Sequence, residues 1–99
     1  RATVRRMEKS ATRACGVLGA MSNPSRLLIL CHLAEGEKAV GELEPLIGLS
    51  QSALSQHLAV LRGKHLVRTR REGQSILYSL ASKEATALMH TLHEQFCKC

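Results

Sequence analysis

Gly48-Leu49-Ser50-Gln51-Ser52-Ala53-Leu54-Ser55-Gln56-His57-Leu58-Ala59-Val60-Leu61-Arg62-Gly63 is the stretch from which the rest of the chain is best read. The Ser50 hydroxyl can cap the first turn of a helix, and Leu54, Leu58 and Leu61 then return at steps of four and three, the spacing of one apolar face. At about 100° per residue the opposite side holds Ser52, Gln56 and Ala59, with Ser55 beside them and Gln51 on the flank in the first turn. Solvated helix faces usually carry Lys and Glu, and neither occurs between Ser50 and Val60. Short side chains that both donate and accept hydrogen bonds suit the base edges of a major groove, where Gln pairs with adenine.

Upstream, Val40, Leu43 and Ile47 predict a short helix closed by Gly48. Two short helices around Gly48-Leu49-Ser50 follow the helix-turn-helix plan of a tight, glycine-containing turn. Further back, Asn23-Pro24 reads as an N-cap followed by proline at the first helical position. From there Leu27, Leu30, Cys31 and Ala34 share a face, which predicts an inward stripe with Cys31 on it and a stop at Gly36. Met7, Ala11, Ala14, Leu18 and Met21 lay a narrow seam along a first helix, suited to packing against another helix, including one from a second chain. Downstream, Leu66 to Arg70 and Ser75 to Leu80 are β-prone runs around a turn with Gly73. From Ser82, the positions Ala85, Leu88, Leu92 and Phe96 mark a last amphipathic helix. The order is mainly α with a small β-hairpin wing, and residues 1–99 read as a single winged helix-turn-helix domain.

Fourteen Lys and Arg face eight Glu and no Asp, a net charge of +6, which points to a polyanionic partner. Tyr78 and Phe96 are the only aromatic residues. Single-stranded and RNA platforms stack bases on several aromatic faces, so duplex DNA fits better. Arg62, Lys64, Arg68, Arg70 and Arg71 stand close together with no acid among them, whereas Glu35, Glu37, Glu42 and Glu44 cluster earlier. A charge run is most often a solvated face. This one adjoins the reading helix and the hairpin, so Arg62, Arg70, Arg71 and Gln74 are the candidates for backbone and minor-groove contacts, beside Gln51, Ser52, Ser55 and Gln56 for bases. The thin supply of large side chains makes a dimer the expected state.

No apolar run approaches the roughly 18 to 20 residues that cross a bilayer, so no membrane partner is expected and the reading is cytoplasmic. Cys15, Cys31, Cys97 and Cys99 are irregularly spaced and include no Cys-x-x-Cys pair, which favours thiols that are free, redox-active or metal-binding over a disulfide framework or zinc knuckle. Cys31 on an apolar stripe also fits an inert core thiol. His90, His93 and Glu94 share one face at i, i+3 and i+4, as metal ligands do and as an exposed polar stripe does equally. Cys31 and His32 are adjacent on a helix and do not face each other. There is no glycine-rich phosphate cradle and no paired-carboxylate arrangement, so no catalytic residue, enzyme activity or cofactor is expected.

Ser50 to Leu58, followed by Leu61-Arg62 and by Arg70-Arg71-Glu72-Gly73-Gln74 leading to Tyr78-Ser79-Leu80, resembles the ArsR/SmtB family of bacterial transcriptional repressors. Met21-Ser22-Asn23-Pro24-Ser25-Arg26-Leu27 extends the likeness over nearly the whole chain. The resemblance implies a homodimer joined mainly through its first and last helices, bound to an imperfect palindrome and released by an inducer. It also implies DNA contact at Gln51, Ser52, Ser55 and Gln56. The family's thiol metal site would fall at Ala39 and Gly41, and its zinc site at Ser82, Glu84, Gln95 and Lys98. Neither set supplies the ligands, so no metal is expected.

Leu30-Cys31-His32 and Gln95-Phe96-Cys97 resemble the BigR/SqrR-like branch, which senses persulfides and other reactive sulfur species. That likeness implies a bridge between Cys31 and Cys97 that lowers DNA affinity, with reactive sulfur as inducer. Two alternatives stand beside it. One is an arsenite- or metal-responsive repressor using Cys97, Cys99 and Cys15, since soft metals choose thiolates. The other is a HlyU-like activator that displaces another DNA-binding protein.

Overall fold

The computed structural model describes residues 2–97. Its order is α1 (Ala2–Met21), α2 (Pro24–Leu33), β1 (Lys38–Ala39), α3 (Val40–Ile47), α4 (Gln51–Gly63), β2 (Val67–Glu72), β3 (Ser75–Leu80) and α5 (Lys83–Phe96). Three helix starts follow directly from side-chain caps: Asn23 accepts from the Arg26 N–H, Ser50 from Ala53 and Ser82 from Ala85. Each oxygen satisfies one of the N–H groups that a helix start leaves without a partner. Glu42 closes the start of α3 from the other direction, accepting the Ala39 N–H at 2.8 Å.

Turn residues fix the connections. Gly48 adopts φ 82° at the end of α3, a left-handed conformation that turns the chain sharply into α4. Helix α4 runs to Gly63 and is closed by the residues that follow. His65 takes the left-handed position at φ 60°, with its N–H donating to the Arg62 carbonyl while the Leu66 N–H donates to Leu61. That bond pair is a Schellman motif, and Leu61 and Leu66, both buried, supply its apolar contact.

The wing is larger than a hairpin. The short β1 pairs antiparallel with β3, giving a three-stranded sheet of order β1-β3-β2. Two residues carry too little periodicity to announce a strand, so β1 is absent from the sequence reading. Leu30, Leu43, Leu54, Leu58, Leu61 and Leu66 form the centre of the core, each 1% exposed or less. The α4 leucines thus seat that helix on α2 and α3 while its polar side remains outside.

Within one chain the apolar faces are buried only in part, with Leu27, Cys31, Leu88 and Leu92 at the margin of the core. Helix α2 buries Ile29, Leu30 and Leu33, leaving Cys31 half-buried and Ala34 exposed. Leu27-Leu28-Ile29-Leu30 is apolar all round, so periodicity there does not single out a face. In α1 only Val17, Ala20 and Met21 are buried, whereas Val4, Met7 and Leu18 are more than half exposed. The core reaches only the last turn or so of this helix. On α5 the buried residues are Ala85 and Met89, and Phe96 stands 80% exposed at the last turn.

Candidate nucleic-acid interface and thiol cleft

Helix α4 presents Gln51, Ser52, Ser55, Gln56 and Ala59 to solvent, opposite the buried Leu54, Leu58 and Leu61. The side chains of Gln51, Ser52, Ser55 and Gln56 make no hydrogen bond within the described residues, so their donors and acceptors are available to a ligand. The sequence wheel and the structure agree on this face.

From the last turn of α4 onward, Arg62, Lys64, Arg68, Arg70 and Arg71 are all exposed. At the wing tip Glu72 pairs with Ser75, leaving a two-residue turn in which Gly73 comes first at φ 61° and Gln74 follows, exposed. A glycine in that first position is what a type II′ turn requires. The Arg71 Nε donates to the Gly73 carbonyl at 3.3 Å, which draws its guanidinium along the turn. Arg70 is placed differently. Its Nε donates to both carboxylate oxygens of Glu37 at 3.0 Å, its Nη2 reaches the same carboxylate, and Glu72 lies at 3.4 Å. The Arg70 hydrogen bond is the main cause holding the Glu37 carboxyl below its ordinary range.

The two thiols singled out by the sequence border a second place. Cys31 from α2 and Cys97 at the end of α5 line one cleft of about 430 Å³, walled by apolar atoms of Leu27, Leu28, Met89, Leu92, His93 and Phe96. Cys97 is exposed and Cys31 half-buried. Cys31 also borders a neighbouring cleft with His90 and His93. Cys15 is exposed on α1, and Lys98 and Cys99 lie outside the described residues. Among the described residues no group of three or more His, Cys, Asp or Glu side chains could hold a metal ion. No single helix is long and apolar enough to cross a membrane.

The profile of the bacterial regulatory protein, arsR family, matches residues 23–69, from the cap of α2 into the wing. The chain is similar to the transcriptional activator HlyU of Vibrio cholerae, with 50% identity over 93% of this chain and 85% of that protein. The structure of reduced HlyU superposes with a TM-score of 0.89, covering 95% of this chain and 99% of that one at 49% identity. The transcriptional repressor BigR of Xylella fastidiosa gives 0.88, covering 96% and 97% at 43% identity. A homodimeric winged helix-turn-helix DNA-binding domain from Mycobacterium bovis gives 0.81, covering 91% and 83% at 30% identity.

Proposed function

Since the chain belongs to the ArsR family and is a transcriptional regulator with a winged-helix fold, we propose that it is a homodimeric repressor of palindromic operator DNA, released when Cys31 and Cys97 are bridged. The observation that carries this reading is the shared apolar cleft of the two thiols. Gln51, Ser52, Ser55 and Gln56 read bases, and Arg62, Arg71 and Gln74 hold backbone at the groove edges, with Arg70 beside them on the wing. Such a protein acts on the chromosome, in the cytoplasm.

The exposed apolar side chains of Val4, Met7 and Leu18 on α1 are surface that a second copy would bury, and the Arg13–Glu84 salt bridge sets the start of α5 beside α1, which supports joining through the first and last helices. Homodimeric assembly of the Mycobacterium bovis relative agrees with this. Two reading helices then have to sit roughly 34 Å apart to enter successive major grooves. A covalent tie between α2, beside the reading head, and α5, at the dimer seam, shifts that spacing.

The chemistry balances without a cofactor. The Cys97 thiolate attacks the outer sulfur of R–S–SH, giving Cys97–S–SH and releasing RS⁻. The Cys31 thiolate then attacks the inner sulfur, forming the disulfide and expelling HS⁻. If both cysteines are persulfidated first, attack of one on the other yields a trisulfide and HS⁻. Peroxide reaches only the direct disulfide, which requires Cα atoms within about 7 Å, whereas inserted sulfur tolerates a wider gap. Cys97 reacts first because it is the more exposed thiol. The test is intact mass and operator affinity after persulfide and, separately, peroxide: bridged protein with weakened binding supports the reading, and bridged protein with unchanged binding refutes it.

HlyU, an activator by name, favours a second reading, in which the same DNA-binding head displaces another protein from a promoter. A promoter fusion separates the two: deletion of the regulator raises expression from its target in the first case and lowers it in the second.

A further inference from the structure

Between residues 62 and 71 the exposed cations are alike in sequence but not in surroundings. Arg62, Lys64, Arg68 and Arg71 have no carboxylate partner among the described residues, whereas Arg70 has two. Glu37 grips its guanidinium through both oxygens and Glu72 approaches from the side, so the group of three carries 1 − 2 = −1. A DNA phosphate arriving there would meet net negative charge and would have to displace a bidentate carboxylate.

The pair also spans the sheet. Arg70 on β2 and Ala39 on β1 both register with Leu77 on β3, so they end one row across all three strands. Glu37 lies just before β1, which leads directly into α3. The bond therefore runs from one edge strand to the far edge and ties the wing to the entry of the helix-turn-helix.

We propose that Arg70 is a positioning residue rather than a phosphate ligand: with Glu37 it straps the wing to the start of α3, fixing where Arg68, Arg71 and Gln74 meet the duplex. The inference rests on the DNA-binding reading above. Exposed ion pairs add little to stability, so the strap acts on orientation, and its removal leaves the fold intact. Phosphate neutralisation falls to Arg62, Lys64, Arg68 and Arg71.

The test uses the dimer and a duplex enriched by the wild-type protein from a randomised pool, with affinity read by fluorescence anisotropy across a salt series. Glu37→Gln and Arg70→Gln are each expected to weaken binding by about tenfold, as removal of a charge-assisted bidentate pair from both protomers would do, with melting temperature nearly unchanged. The charge-reversed double variant, Glu37→Arg with Arg70→Glu, is expected to recover most of the affinity. A phosphate ligand behaves in the opposite way. Glu37→Gln would then bind as well as wild type or better, Arg70→Gln would reduce the log–log salt slope by about 0.9 for each phosphate no longer neutralised, and the reversed variant would be the weakest of all. Any of those three results overturns the strap. A wild-type protein that enriches no duplex overturns the DNA reading itself, an outcome distinct from a selective failure of the variants.

Discussion

Arg13 of α1 and Glu84 of α5 form a salt bridge of 3.0 Å, joining the two helices that carry the proposed dimer seam. Ser82 completes the arrangement: its oxygen caps α5 by accepting the Ala85 N–H, and its hydroxyl donates to Glu84 at 2.8 Å. That hydroxyl, the residue's own backbone N–H and Arg13 together hold the Glu84 carboxyl down to about 2, from an ordinary value of 4.5. A carboxyl depressed in the folded state contributes stability that is fully present above its unfolded value and lost as pH falls through the folded one. Melting temperature is therefore expected to decline from about pH 4.5 toward pH 2, and less steeply in Glu84→Gln. Parallel declines for the two proteins would show that Glu84 is not the titrating group.

Gln56 is exposed on the polar face of α4, its side chain making no hydrogen bond inside the described residues. Gln56→Ala is expected to narrow the gap between the preferred duplex and its single-base variants at one position per half-site by about 1–3 kcal/mol. Competition binding against a set of such duplexes measures this. A uniform weakening over all sequences would place Gln56 on the backbone instead.

His65 holds the left-handed position that ends α4, a conformation in which a side chain costs about 1–2 kcal/mol. His65→Gly is expected to raise unfolding free energy by about 1 kcal/mol, with the gain reduced by the entropy glycine adds to the unfolded chain. Denaturant titration reads the change, and a destabilised variant would show that the imidazole makes a compensating contact.

The positions that resemble the family's zinc site include Ser82 and Gln95, neither of which is a zinc ligand. Micromolar free zinc is expected to leave operator affinity unchanged. Stoichiometric zinc binding coupled to release would contradict this and direct attention to His90, His93 and Glu94.

The parts of this fold that were legible in the sequence are those set by local chemistry. Asn23, Ser50 and Ser82 announce three helix starts, and Leu54, Leu58 and Leu61 announce the buried side of α4 and hence its exposed polar face. Elements that depend on distant chain were not legible. Strand β1 exists because β3 offers it an edge, and the Arg70–Glu37 pair joins residues 33 positions apart. Helix α2 misleads because Leu27 to Leu30 is uniformly apolar, so only the packed structure picks Ile29, Leu30 and Leu33. Pairing Cys31 with Cys97 came from family likeness and not from periodicity. Periodicity places Cys31 and Phe96 on inward faces: Cys31 does pack, half-buried, at the margin of the core, whereas Phe96 stands at the exposed rim of the cleft.

The most direct measurement of the central claim is operator affinity before and after treatment with a small-molecule persulfide, in wild type and in the four single Cys→Ser variants. Wild type, Cys15→Ser and Cys99→Ser are expected to bind and then release, while Cys31→Ser and Cys97→Ser bind and stay bound. If Cys31→Ser still releases the duplex on treatment, the bridge between Cys31 and Cys97 is not the switch.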